Sequence, residues 1–267
     1  MDAIQALILG LLQGIAEFLP ISSSGHLTLA GDAFGIEEPP ILLSLCLHVA
    51  TLLVILLHFR KKIISVLFPL NIPYIRAIFL ASIPTAILGL LLKTYGGSLF
   101  TAGSASAFLI INGIFLIWLS RREKRQDESS MADSNGSGEN KTPAPEAPSV
   151  FQALSIGLVQ GLAALPGISR SGSTIGVARI LGLPPGLAAE FSLLVSVPAI
   201  AGAALLESRH LDSLANPSMV LLGSAVAAVS GWFSVKILLR IVHKHAWFGW
   251  GLYCMVAGLV YGVMYHA

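Results

Sequence analysis

Charge is the scarcest commodity in this chain. Of its 267 residues only 11% are Asp, Glu, Lys or Arg, whereas 55% are hydrophobic and the mean hydropathy is +0.80. So little polar surface cannot cover a water-soluble globule of this length, which makes the chain an integral membrane protein. A formal net charge of +2 is too small to point to nucleic acid as a partner. Cysteine is almost absent: Cys46 and Cys254 both lie in apolar stretches, which excludes a disulfide framework and a cysteine zinc site. There is no phosphate-binding loop, no paired His/carboxylate metal spacing and no Gly-x-Ser-x-Gly elbow. The opening Met-Asp-Ala-Ile-Gln lacks a basic segment, and its first apolar stretch carries Gln13 and Glu17, so no cleaved signal peptide is expected.

What is present is a duplication. Displaced by 147 positions, ALILGLLQGIAEFLPISSSGH (6–26) lies over ALSIGLVQGLAALPGISRSGS (153–173). The copies differ where chemistry would differ: Glu17 faces Ala164, Ser23 faces Arg170 and His26 faces Ser173.

A membrane-spanning helix needs about 20 apolar residues. Six stretches qualify: 41–59, 74–93, 103–119, 187–207, 218–239 and 247–265. The duplicated stretches do not. Each reads as an apolar helix, a Pro-containing Ser/Gly-rich break, and a second short helix (27–35 and 174–183). Irregular backbone at membrane depth survives only when buried in protein or lining a wet cavity. The expected fold is therefore all-α, with six transmembrane helices and two re-entrant helix hairpins.

Residues 121–149 are polar, rich in Pro, Gly and Ser, and without apolar periodicity. They are expected to form a disordered cytoplasmic linker between a first repeat (1–120) and a second (150–267), together one membrane domain. If the six spans alternate, Arg60, Lys61, Lys62, Arg76, Arg121, Arg122, Lys124, Arg125, Lys141, Arg240 and Lys244 share one side, leaving Lys93 and Arg209 near the other. The first side is then cytoplasmic and both termini face outward. Three spans separate the hairpins, so they enter from opposite faces as an inverted-topology repeat. Such repeats bring broken half-helices together near the bilayer midplane.

Gln13 and Glu17, four residues apart, share one helix face. A carboxylate at membrane depth is a functional candidate, the alternative being a structural pair with a basic residue. Ser22, Ser23, Ser24 and Gly25 precede one short helix, and Ser169, Arg170, Ser171 and Gly172 precede the other. Each set reads either as ordinary N-caps and turns or as an anion cradle. Two facing cradles and the Arg170 fork suit a diphosphate. His26 can serve as acid, base or nucleophile. His48 and Asn112 read equally as interhelical partners or as site wall. Glu190 and Arg179 are expected to form a structural pair.

These residues resemble the undecaprenyl-diphosphate phosphatases, the bacitracin-resistance family. The likeness rests on the Gln13-to-Glu17 form of the acidic (E/Q)-x-x-x-E signature, on FLPISSSGH (18–26) and on PGISRSGST (166–174), and it runs over essentially the full length. It implies hydrolysis of the C55 polyprenyl diphosphate to the monophosphate and inorganic phosphate in the bacterial plasma membrane. It further implies Glu17, Ser23, His26 and Arg170 as the catalytic group, and Gln13, Ser22, Ser24, Gly25, Ser169, Ser171, Gly172 and Thr174 as substrate-binding residues. The preferred scheme has Ser23 attack phosphorus while His26, oriented by Glu17, takes its proton; the alternative has His26 attack. A divalent cation such as Mg2+ or Ca2+, held mainly by the substrate's phosphates, is the implied cofactor, its ligands unassigned. A second copy of the chain is a candidate partner. The competing class is an inverted-repeat secondary transporter or flippase for a phosphate-bearing lipid.

Overall fold

A computed structural model of the chain describes residues 2–35, 41–133, 145–207 and 217–266. The stretches 134–144, with Lys141, and 208–216, with Arg209, lie outside the described residues. Helices account for nearly all of what is described: α1 (Ala3–Phe18), α2 (Ser23–Ala33), α3 (Ile41–His58), α4 (Arg60–Leu67), α5 (Ile72–Tyr95), α6 (Ala102–Asp133), α7 (Val150–Leu162), α8 (Arg170–Ile180), α9 (Pro185–Glu207), α10 (Pro217–His243) and α11 (Phe248–His266). No strand occurs among the described residues.

Both duplicated segments fold as helix, break, helix. α1 and α7 start on matched capping boxes, Asp2 with Gln5 and Ser149 with Gln152, so the duplication extends to the caps. α1 stops just short of Pro20, where the residue before a proline is pushed out of helical geometry. The second helices begin four residues earlier than the sequence pattern predicts, at Ser23 and Arg170 rather than at 27 and 174. Ser22 and Ser169 are their N-caps, each accepting from the glycine N–H three residues on. The Ser/Gly runs are thus the first helical turns, and apolar periodicity, which reads only the greasy part, misses them.

Four helices, α5, α6, α9 and α10, are long and apolar enough to cross a membrane, and α3 with α4, bent by 68°, makes a fifth if counted as one span. The apolar part of α11, Phe248–Met264, falls among the shorter helices, as do α1 and α7. The chain is a multi-pass helical membrane protein whose surface displays large side chains such as Phe79, Phe151, Leu205, Leu221 and Phe233, suited to lipid rather than to water. α6 departs from expectation at its end. It continues helical through Asp133, so 121–133 is helical rather than disordered, and Glu123 is buried near its start.

The two hairpins are exchanged between repeats. α1, from the first, packs on α10 of the second, while α7 packs on α5 of the first. A Cβ on Gly10 would strike the backbone of Gly223, and one on the equivalent Gly157 would strike that of Ala81. Small residues permit this close approach, which in lipid replaces hydrophobic association as the packing force. α6 against α11 and α3 against α9 complete the bundle.

Two polar clusters differ from the expected Glu190–Arg179 pair. Arg179 Nε donates to Glu123 Oε1 at 2.6 Å, and Trp247 Nε1 donates to Glu123 Oε2 at 2.6 Å, joining α6, α8 and the start of α11. Glu190 instead meets Lys62 Nζ at 2.9 Å and the Tyr74 hydroxyl at 3.1 Å. Helix packing, not proximity in the chain, selects the partners.

Candidate active site

Glu17 is the hub. Its helix face, set by the four-residue spacing, puts Gln13 beside it, and Gln13 Nε2 donates to Oε2 at 3.1 Å. Ser23, the first residue of α2, turns its Oγ back to donate to the same Oε2 at 2.7 Å. Oε1 meets the Arg170 guanidinium, delivered by the first turn of α8 from the other repeat. His48 of α3 brings Nε2 to 3.6 Å from Oε2. One buried carboxylate is thereby shared by four elements, and its charge is matched by Arg170.

The break regions interlock. Ser22 Oγ accepts from Gly167 N–H at 3.1 Å, and Asn112 Oδ1 accepts from Ser169 N–H at 3.2 Å while its Nδ2 donates to Pro20 O at 3.0 Å. A Cβ on Gly25 would lie 2.9 Å from Gly167, and one on Gly172 would lie 2.9 Å from Pro20. Gly167 and Pro20 are equivalent in the duplication, so each helix start rests on the other hairpin's break. Ser22 has φ 69°, a left-handed conformation that costs a serine about 1–3 kcal/mol and is held by these contacts.

A cavity of about 1090 Å³ opens from this meeting point. Glu17, Ser23, Ser24, His48, Gln160 and Arg170 line its inner end. Its walls then run along small and apolar faces of α5 and α9, including Ala86, Gly89, Gly202 and Ala203, to Lys93 and Thr101. A polar head with an apolar extension is a shape for an amphipathic ligand.

Glu17, Ser23 and Arg170 are therefore brought together, with Gln13 and Ser24 alongside. His26 is not placed with them. Its Nδ1 contacts Ser22 O at 2.8 Å and its Nε2 contacts the Tyr253 hydroxyl at 2.8 Å, on whose ring it stacks. The expected orientation of His26 by Glu17 is not made, because His26 lies one turn into α2 and faces α11. Ser169 and Ser171 donate to Leu19 O at 3.4 and 3.3 Å, and Thr174 donates to Arg170 O at 2.7 Å. With Ser22, Gly25 and Gly172, Ser169 and Ser171 occupy the contact between hairpins, and neither these residues nor Thr174 line the cavity. His48 is the residue that sequence reasoning undervalued; its only signal was a polar side chain inside an apolar span. Gln160, the equivalent of Gln13, is also at the wall, its Nε2 donating to Thr85 Oγ1 at 3.3 Å.

The donor set does not make a cage for a metal ion. No group of three His, Cys, Asp or Glu side chains converges among the described residues. Glu17, the one carboxylate at the inner end, has Oε1 against Arg170 and Oε2 against Ser23 and Gln13.

The profile of the family described as bacitracin resistance protein BacA matches residues 6–260. A protein of Desulfosudis oleivorans named undecaprenyl-diphosphatase is 38% identical, the alignment covering 97% of this chain and 97% of that protein. One of the same name from Carboxydothermus hydrogenoformans is 38% identical over 94% of this chain and 93% of its own. Another, from Methanobrevibacter smithii, is 33% identical over 97% and 96%.

Proposed function

The chain belongs to the bacitracin resistance protein family, and from that premise we propose its activity and mechanism. It is an undecaprenyl-diphosphatase, a membrane hydrolase that converts undecaprenyl diphosphate to undecaprenyl phosphate and inorganic phosphate. That reaction returns a lipid carrier to cell-wall synthesis and underlies resistance to bacitracin. The observation that carries the chemistry is the Ser23 hydroxyl, 2.7 Å from Glu17 Oε2 on the wall of an amphipathic cavity.

Ser23 Oγ attacks the terminal phosphorus and gives its proton to Glu17 Oε2. The bond from phosphorus to the bridging oxygen breaks, and that oxygen leaves with the lipid monophosphate. Arg170 meets the charge on the phosphoryl oxygens, helped by first-turn N–H groups of α2. Water then cleaves the phosphoserine, and the proton on Glu17 returns to Ser23. Glu17 thus takes the basic role assigned from sequence to His26, and the Tyr253 contact of His26 supports Ser23 over His26 as the attacking group. A divalent cation would be held by the substrate's phosphates rather than by a cage of side chains, and would supply neutralisation of phosphate charge.

The bundle reads as six spans, α3 continued by α4 and α11 included, with re-entrant hairpins α1–α2 and α7–α8. The units 1–120 and 150–267 form one domain in the bacterial inner membrane. The cavity extends toward Lys93 and Thr101, at the turn between α5 and α6, away from Arg60, Lys61 and Arg121. By the positive-inside rule this mouth faces outward. The prenyl chain leaves sideways along α5 and α9.

The exchanged hairpins also suit a carrier of phosphate-bearing lipid, and one measurement separates the readings. Purified protein in detergent is assayed for phosphate release from undecaprenyl diphosphate. Wild type releases phosphate, and Ser23→Ala lowers kcat by about a thousandfold or more. Full activity in Ser23→Ala would overturn the nucleophile. No release by folded wild type, with or without Mg2+, would turn the assignment to transport.

A further inference from the structure

The charged side chains that line the cavity are two carboxylates, Glu17 and Asp32, and two fixed cations, Lys93 and Arg170. Formally they cancel. Arg170 is moreover already set against Glu17, and Lys93 stands at the far end. A diphosphate brings more than one negative charge into this balance. Among the residues lining the cavity, one further group can become a cation: His48.

Its geometry is specific. Nδ1 lies 2.7 Å from Ser44 O, one turn back on α3, a contact that requires the proton on Nδ1. Nε2 is then the nitrogen left for other work. It faces Glu17 Oε2 at 3.6 Å, too far for a hydrogen bond, and the side chain keeps 28% of its surface accessible where Glu17 keeps 2%. The imidazole is therefore presented to the space that the carboxylate and Arg170 enclose. Of the elements packed around α3, α1 presents Glu17 to this space, while α9 and α10 present no charged side chain to the cavity among the described residues. Arg170 comes from α8, and Asp32 of α2 and Lys93 of α5 stand further along the wall.

We propose that His48 is a diphosphate-binding residue: Nε2 takes a proton from solvent as the anion enters and donates it in a hydrogen bond to a phosphoryl oxygen. The duplication offers no substitute, since the position equivalent to His48 is Val195. The inference rests on the diphosphatase reading, because it assigns a contact to that substrate.

The test uses full-length protein in detergent and a prenyl methylenediphosphonate, which binds but cannot be hydrolysed at the bridge. Affinity is measured by calorimetry from about pH 6 to about pH 8, the window in which an imidazole changes charge. Wild type binds more tightly as pH falls. His48→Gln keeps an N–H donor but cannot take up the proton, so it loses the extra tightening relative to wild type. His48→Ala loses donor and charge together and weakens binding by about tenfold or more at every pH below 7. With undecaprenyl diphosphate, His48→Ala raises KM by a similar factor and changes kcat less. Equal pH slopes in wild type and His48→Gln would overturn the proposal, as would unchanged affinity in His48→Ala or a loss confined to kcat. Thermal melting of each variant separates lost binding from lost folding. Wild type that binds the diphosphonate without hydrolysing the natural diphosphate would sink the hydrolase reading and leave the His48 contact intact.

Discussion

Glu17 holds three jobs on one carboxylate: it orients Ser23, pairs with Arg170 and accepts from Gln13. Removing one member of a buried ion pair costs about 3–5 kcal/mol, because the survivor is left uncompensated. Glu17→Gln and Arg170→Gln are each expected to lower thermal stability in detergent by that order. The double variant should lose clearly less than the sum, and strict additivity would show that the pair is not coupled. Activity behaves differently: Glu17→Gln keeps the side-chain shape but removes the proton acceptor, and kcat should fall by about 10²–10⁴. Gln13 and Glu17 were legible as neighbours because helix periodicity fixes their distance, whereas the place of Ser23 on Glu17, expected for His26, was not. His48 was not, since nothing local says which face of α3 meets α1.

The hairpin breaks show what a single element can hide. Their serines read as a phosphate cradle, yet Ser22, Ser169 and Ser171 spend their hydroxyls on the opposite hairpin. Asn112 of α6 closes the same joint, accepting from Ser169 and donating to Pro20. Asn112→Ala should leave a buried N–H and a buried carbonyl short of a partner, costing about 1–3 kcal/mol. The melting temperature and phosphate release should fall together, although Asn112 is not among the residues lining the cavity. Retained activity with a lowered melting temperature would separate the joint from the site. A parallel holds at Glu123, where α6 runs past its apolar stretch and Arg179 and Trp247 satisfy a buried carboxylate. Composition alone marks 121–133 as polar, and polar is not the same as unstructured.

At the scale of the whole chain, the exchange of hairpins makes either repeat incomplete alone: Glu17 and Ser23 come from one, Arg170 from the other. The proposed orientation puts 129–140 on the cytoplasmic side. In a Cys46→Ser, Cys254→Ser background, a cysteine introduced there should react with an impermeant maleimide only after the membrane is opened. Reaction in intact cells would invert the topology and place the cavity mouth inside.

From the sequence alone the chain reads as a helical membrane protein with an internal duplication, whose copies differ at Glu17, at Ser23 against Arg170, and at His26, the candidates for its chemistry. Those properties are carried by composition, repeat and short-range spacing, all of which are written along one dimension. Helix packing is what turns His26 to Tyr253 and His48 to Glu17, and sets Ser22, Ser169 and Ser171 against protein instead of the cavity. The reason is geometric. A duplication states which positions are equivalent, whereas helix rotation and the close approach of α1 to α10 and α7 to α5 set which side chains meet.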